Sequence, residues 1–365
     1  MAPTVGRNLS AATTRLSGTP AEHGFSFPPE WHRHRGTWIS WPRPEGISFP
    51  DRYHEAIEDV AGVVRAIAAH EQVHINVPNA NYERIVREFL HARKVPPRRV
   101  AFHHIPTNEC WVRDHGPAFV LRHRRGRTEA AVVDWGYNAW GGKYPPYDAD
   151  DAVPTHVGAA LSLPVFVPGI VMEGGAVDFN GAGTVLTTTS CLLNKNRNPR
   201  LSKARLERYL QDYYGQRHVV WLGDGIEGDD TDGHIDDLAR FIDARTIVIG
   251  IEGDPADPNF SVLQANRKRL SKAQDQDGRP FVIVELPMPR PVWRDGQRLP
   301  ATYLNFYFVN GALLVPTFGQ GARDRAALGI LQARLPGRRV VGVDCRALIW
   351  GLGAIHCFTQ QQPDF

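Results

Sequence analysis

The chain has 365 residues, 42% of them hydrophobic, and its 42 Lys+Arg nearly balance its 39 Asp+Glu, leaving a net charge of +3. That balance excludes a charge-driven nucleic-acid binder, because the Arg-rich spots at Arg122 to Arg127 and Pro97 to Arg99 are short, lack interleaved aromatics and read as solvated loops. Four cysteines at 110, 191, 345 and 357 share no CxxC spacing, and no run approaches the ~20 apolar residues that span a bilayer, so a reducing, cytoplasmic setting without a membrane partner is expected.

Residues 1–22 are rich in Ala, Thr, Ser and Arg without a continuous apolar core, which predicts a disordered leader. From 23 to 365 no Gly/Ser-rich or Pro-rich linker divides the chain, and one catalytic domain is expected. Gly36 to Pro42 reads as a short strand stopped by proline. Tyr53 to His70 spaces Ile57, Val60, Val64 and Ile67 as an amphipathic helix does. Glu71 to Pro78 alternates as a strand, Tyr82 to Arg93 is a second helix, and Arg99 to Ile105 a further strand, so the class is α/β. An element of strand, turn and strand then recurs: Ala118 to Val133 around Arg124-Arg125-Gly126, Ala176 to Thr189 around Asn180-Gly181, Leu238 to Gly250 around Asp243-Ala244-Arg245, and Phe306 to Pro316 around Asn310-Gly311. The copies lie roughly 60 to 70 residues apart, with helical segments at Ser202 to Tyr214 and Asp324 to Arg334. Two readings stand at this point, divergent repeats about a pseudo-symmetry axis or coincidence in an α/β chain. Pro287 to Pro291, with Pro300, reads as a surface loop.

Three glycine-bordered stretches gather titratable groups. In Trp111 to Pro117, Asp114 beside Arg113 is either a structural ion pair or a working carboxylate. Glu173 follows the apolar strand expected at Phe166 to Val171, where desolvation raises a carboxylate pKa unless a cation is near. The acidic run Glu227 to Asp237 encloses His234, and in an extended segment His234 and Asp236 share one face. A metal site is the rival reading, but neither HExxH nor paired cysteines occur and the acidic run lacks calcium-loop spacing, so no metal is expected. Cys357 ends the glycine-bearing stretch Trp350 to Thr359, where backbone lets a ligand approach closely. It is either a nucleophile or a buried, inert thiol. A thiol, a histidine and an excess of carboxylates together suit a guanidinium substrate, which takes paired hydrogen bonds from carboxylates, and covalent hydrolysis at its central carbon.

Six stretches carry a resemblance that runs in order through the chain: Trp111 to Pro117, Asp134 to Lys143, Glu173-Gly174-Gly175, Leu192 to Pro199, Asp232-Gly233-His234-Ile235-Asp236, and Gly353 to Pro363 with its His356-Cys357-Phe358-Thr359 centre. On these the chain resembles the agmatine deiminase family, grouped with the bacterial-type peptidylarginine deiminases in the guanidino-group-modifying superfamily. The resemblance implies a five-bladed, pseudo-fivefold symmetric α/β propeller, with the hairpins as the repeat and Thr37 to Pro42 with its partner as the fifth copy. It implies Cys357 as nucleophile, His234 as general acid and base, Asp114 and Asp236 as the carboxylates that hold the guanidinium, and Glu173 as the acid that positions His234. Trp111 and Gly353 are expected beside the substrate, a small cationic guanidino compound. No cofactor, metal or nucleic acid is implied, and a homo-oligomer is compatible with the sequence.

The chain departs from the family pattern at the basic Trp31 to Arg35, at His115 after the motif Asp, and at Leu352 and Ala354 within the glycine run. His115 and Leu352 are expected close to the pocket and to bear on specificity. The alternatives to agmatine hydrolysis are deimination of arginine or peptidyl-arginine, and transfer of the amidino group to an amine. A non-catalytic guanidine-binding protein is disfavoured, since it would not need both Cys357 and His234.

Overall fold

In the computed structural model, which describes residues 14–365, hairpin chemistry lays down most of the architecture. Ala118–Arg124 and Arg127–Val133 pair antiparallel across Arg125-Gly126, both at positive φ (52° and 74°). That two-residue turn matches the right-handed twist of the strands it joins. The second strand then takes Val165–Phe166 as a parallel neighbour. The same pattern, a hairpin followed by a parallel third strand, returns in Val177–Phe179, Thr184–Thr188 and His218–Leu222. It returns again in Ala239–Phe241, Thr246–Ile251 and Val282–Pro287, and in Tyr307–Val309, Ala312–Thr317 and Arg339–Asp344.

The remaining sheet of this kind joins the two ends of the described chain. His34–Ser40 pairs antiparallel with Gln360–Pro363 and parallel with Gln72–Val77, and Val100–His104 lies beyond. The fold is therefore mixed α/β, with five sheets of one pattern among the described residues. Parallel neighbours need crossover connections, and helices supply them. Tyr53–Ala68 buries Ile57, Val60, Val64 and Ile67 in one core cluster with Val73 and Ile75 of the strand that follows it. Lys203–Tyr214 starts where the Ser202 side chain accepts the Arg205 N–H and stops at Gly215, in the left-handed region at φ 71°. It buries Leu206, Leu210 and Tyr214, each apolar side chain being worth about 1.5–3 kcal/mol.

Several expectations are corrected. Disorder does not extend through 14–22: the Leu16 N–H donates to the Val165 carbonyl (2.9 Å) and the Val165 N–H to the Thr14 carbonyl (2.9 Å), so this segment lines the edge of the sheet that ends in Val165–Phe166. The rest of the expected leader, 1–13, lies outside the described residues. Arg122 to Arg127 is a hairpin end rather than a loop, with Arg122 Nε donating to Glu129 (2.7 Å). The strand expected at Phe166 to Val171 is only Val165–Phe166, because Pro168 and Gly169 (φ 74°) break it. In the Pro-rich stretch a further hairpin forms, Val292–Arg294 with Gln297–Leu299.

Candidate active site

The side chains with chemical potential come from equivalent places. Asp114 lies just before the strand Ala118–Arg124, Glu173 before Val177–Phe179, and His234 and Asp236 before Ala239–Phe241. Asn305 precedes Tyr307–Val309, and Cys357 precedes Gln360–Pro363. Each of the five sheets thus delivers, from the segment entering its first strand, at least one group to a common centre.

Gly175 is the pivot of that centre. Its N–H donates to Asp114 Oδ1 (2.9 Å). A Cβ there would stand 2.6 Å from His234 Nδ1, 2.8 Å from Asp114 Oδ1 and 3.0 Å from Asp236 Oδ2. Only glycine lets the imidazole and both carboxylates converge. His234 Nδ1 lies 3.7 Å from Asp114 Oδ1 and 4.0 Å from Asp236 Oδ1, and its Nε2 lies 3.9 Å from Glu173 Oε2. Both ring nitrogens are buried without a hydrogen-bond partner among the described residues, and so is Asp236 Oδ1. Trp140 Nε1 donates to Asp114 Oδ2 (3.0 Å), leaving Asp114 fixed at both oxygens.

Cys357 Sγ is 3.7 Å from Asp236 Oδ2 and accepts from Asn305 Nδ2 at 3.1 Å. Asn305 Oδ1 in turn receives the N–H groups of His356 (2.9 Å) and Cys357 (3.2 Å). Asn305 therefore holds the His356-Cys357 segment by both ends of its amide. Gly353 and Trp111 stand against Cys357: a Cβ on Gly353 would lie 2.6 Å from the Trp111 ring and 3.0 Å from Cys357 Cβ. Glycine at 353 is required by this packing.

Electrostatics set the resting protonation. Burial, then Asp236, Asp237 and Asp114, push the Cys357 thiol well above its ordinary value. Burial alone would lower the His234 imidazole, but Asp114, Cys191 and Glu173 outweigh it and hold His234 well above the usual histidine range. Burial likewise opposes ionisation of Glu173, yet His234 and Arg197 bring its carboxyl below the usual range, Arg197 Nε donating to Oε1 at 2.7 Å. The cation that Glu173 needed is thus present on both sides. Burial raises Asp114, followed by the nearby Asp236 and Glu173, against the lowering effect of His234. Asp236 is lowered despite burial, chiefly by His356. Glu173, Cys191 and His234 bring one ligand-type atom each within 4.8 Å of one another. Arg197 already supplies positive charge to Glu173 there, so these residues fit an acid-base pair with its support better than a metal centre.

A cavity of about 300 Å³ reaches Cys357 and Asp114 and is walled by Trp111, Trp140, Glu109, Asp230, Leu352 and Gly353. Arg294 and Gln297, from the hairpin in the Pro-rich stretch, also line it. His234, Glu173 and Asp236 are fully buried, off the cavity wall. His115, expected near the pocket, is absent from its wall: the ring is buried 3.9 Å from Asp150, and burial lowers it to about 4. Leu352 does line the cavity, in the left-handed region at φ 68°, whereas Ala354 is buried elsewhere. His234 and Asp236 do not share the face of an extended strand. A 3-10 turn over Ile235–Asp237 brings them together instead. Cys191, Arg197, Asn305, Glu30 and Arg240 were not singled out from the sequence, since each acts through a partner distant in the chain.

A sequence model of the Porphyromonas-type peptidyl-arginine deiminase family matches residues 26–363. An agmatine deiminase from Medicago truncatula is 35% identical over 95% of this chain and 99% of its own length, and one from Pseudomonas savastanoi is 36% identical over 96% and 98%. Among solved structures, the agmatine deiminase of Enterococcus faecalis superposes with a TM-score of 0.89 at 33% identity, covering 97% of this chain and 100% of that one. A Cys-to-Ser variant of the C. jejuni agmatine deiminase with substrate bound superposes with a TM-score of 0.83 at 31% identity, over 93% and 96%. This chain belongs to the Porphyromonas-type peptidyl-arginine deiminase family and is related to agmatine deiminases along nearly its whole length.

Proposed function

We propose that this protein is a hydrolase that converts agmatine to N-carbamoylputrescine and ammonia through a covalent adduct on Cys357. The observation that carries the reading is the meeting of one thiol, one buried imidazole and two carboxylates: Cys357 and Asp114 open on the cavity, and His234 and Asp236 are buried directly behind them. Asp114 and Asp236 receive the guanidinium. Its positive charge offsets the carboxylates that raise the Cys357 thiol, so the thiol loses its proton to solvent as the substrate seats. The thiolate adds to the guanidinium carbon, His234 as imidazolium gives its proton to the departing nitrogen, and ammonia leaves an amidino-thioether. Neutral His234 then takes a proton from water, whose oxygen adds to the same carbon. Collapse expels the Cys357 sulfur, which takes up the proton of the new hydroxyl, so the neutral ureido product leaves and the thiol is restored. Glu173, tied to Arg197, keeps the imidazole charged and aimed.

The cavity wall supports a dicationic substrate over arginine. Glu109 and Asp230 line it, suiting a terminal ammonium. Arg294, the group that could receive an arginine carboxylate, already donates to the carbonyls of Trp350 (3.1 Å) and Pro50 (3.5 Å) and pairs with Asp295 at 3.4 Å. The five like sheets, each feeding the centre from the entrance to its first strand, support a five-bladed propeller forming one catalytic domain from residue 23 onward. Four free, buried cysteines support a reducing compartment.

The test is ammonia and ureido-product release from agmatine, free arginine and a blocked arginine peptide. Agmatine is expected to be turned over with the highest kcat/KM. Preference for either arginine compound would overturn the substrate assignment.

A further inference from the structure

We infer that His356, the neighbour of Cys357, is a positioning residue that holds Asp236 ionised and turns its free oxygen toward the substrate. The inference rests on the deiminase reading above and extends it to a residue that reading leaves unused.

His356 is buried between two carboxylates. Its Nδ1 lies 2.6 Å from Asp236 Oδ2 and its Nε2 lies 2.7 Å from Glu30 Oε2. An ionised carboxylate only accepts hydrogen bonds, so a ring that serves two of them must donate from both nitrogens, which an imidazole does only as imidazolium. Both carboxylates are placed to be ionised. Burial opposes this at Glu30, but Arg240, His356 and Arg113 outweigh it and bring Glu30 far below the usual range. Arg240 Nη2 donates to Glu30 Oε2 at 2.9 Å and Arg113 Nη2 at 3.4 Å, while the Phe308 N–H takes Oε1 at 2.9 Å. Arg240 also donates from Nε to Asp178 (3.1 Å) and from Nη1 to the Phe306 carbonyl (2.9 Å). The far side of His356 is therefore a fixed network of charged hydrogen bonds, and the ring has no freedom to turn.

The consequence falls on Asp236. With Oδ2 occupied by His356, Oδ1 remains without a hydrogen-bond partner among the described residues, 4.0 Å from His234. The groups facing Asp236 are otherwise mostly anionic: Asp237 beside it and Asp229 in the same loop, Asp114 from the segment before Ala118–Arg124, and Cys357. His234 and Arg240 are the other cations that act on it. Without the imidazolium, Asp236 would take up a proton more readily and could turn away. A carboxyl that carries a proton is a poor partner for a guanidinium.

The experiment compares wild type with His356→Asn and His356→Gln, each checked for the wild-type melting behaviour. Asparagine offers a neutral N–H toward Asp236, and glutamine a longer one toward Glu30. The expected result is a fall of about 10- to 100-fold in kcat/KM for agmatine, the worth of one charge-assisted hydrogen bond. It should be carried mainly by KM, since Asp236 grips the guanidinium in ground and transition states alike. The acid limb of kcat/KM should move to higher pH by about one unit. A role confined to holding the fold together would move melting and leave that limb in place. A folded variant with the wild-type acid limb and kcat/KM within about threefold overturns the inference. Nitrogen-15 histidine spectra of the wild-type protein decide the matter if neither variant folds. One ring with two strongly hydrogen-bonded, slowly exchanging N–H protons is expected, and its absence overturns the inference. Failure of wild type to release ammonia from agmatine would instead count against the reaction itself and would leave the spectrum unaffected.

Discussion

Replacing Gly175 by alanine should disable the centre while leaving the fold standing. The added methyl carbon would lie 2.6 Å from His234 Nδ1, 2.8 Å from Asp114 Oδ1 and 3.0 Å from Asp236 Oδ2. Comfortable non-bonded separation begins near about 3.5 Å, so the three groups would have to retreat by about 0.9, 0.7 and 0.5 Å. Gly175 does not occupy the left-handed region, and its N–H can still donate to Asp114, so the backbone itself tolerates alanine. The obstacles are side-chain tips, and the expected stability loss is about 1–3 kcal/mol, as for other overpacked sites. Misplacing reacting groups by about 1 Å can lower the rate about 100-fold, and three groups move at once here. The assay is steady-state ammonia release from agmatine beside thermal unfolding, with Gly62→Ala as control because a Cβ there meets nothing within 4 Å. A folded Gly175→Ala protein within about threefold of wild-type kcat/KM would refute the convergence of His234, Asp114 and Asp236 on this glycine.

The neighbouring Gly174→Ala should fail differently: its methyl would meet the Arg113 carbonyl oxygen at 2.2 Å, a backbone atom that cannot swing aside. Loss of soluble, folded protein is the expected outcome, read by circular dichroism, and a stable, cooperatively melting variant would contradict it. Asp150 offers a pH-linked prediction. Burial raises its carboxyl to about 7, against N–H donors from Asn108 (2.7 Å) and Glu109 (3.1 Å) that favour the anion. Because the folded protein holds this proton more tightly than the unfolded chain, the group lowers stability as pH rises from about 4 toward 7. Asp150→Asn should therefore gain about 1–3 kcal/mol relative to wild type on going from pH 4 to pH 8, measured by urea unfolding at both. No change in the difference between the two pH values would contradict the assignment.

The parts of this protein legible in the sequence are those whose signal is local. The Arg125-Gly126 and Asn310-Gly311 turns declare hairpins because a two-residue loop needs particular backbone angles, and Tyr53–Ala68 shows its buried face in the spacing of Ile57, Val60, Val64 and Ile67. The sheet built on His34–Ser40 was hardest to see, since the antiparallel partner of that strand is Gln360–Pro363, from the other end of the chain. The centre followed the same rule. Cys357, His234, Glu173, Asp114 and Asp236 stood out because each sits in a short motif bordered by glycine. Glu30, Asn305 and Arg240 sit in unremarkable stretches, and their roles arise only when the chain brings Glu30 to His356 and Asn305 to Cys357. His234 and Asp236 were paired for the wrong reason, an extended segment, when a 3-10 turn does the work. His115 was expected at the pocket because it adjoins Asp114, but successive residues in a turn point apart, and it faces Asp150.

The measurement closest to the central claim is mass spectrometry of enzyme quenched in acid during turnover of agmatine, followed by digestion. A covalent adduct on the peptide carrying Cys357, with the mass of agmatine less ammonia, is predicted, absent from Cys357→Ala, which should also release no ammonia above background. Undiminished turnover by Cys357→Ala, or wild-type turnover with no adduct at any quench time, would contradict the covalent route.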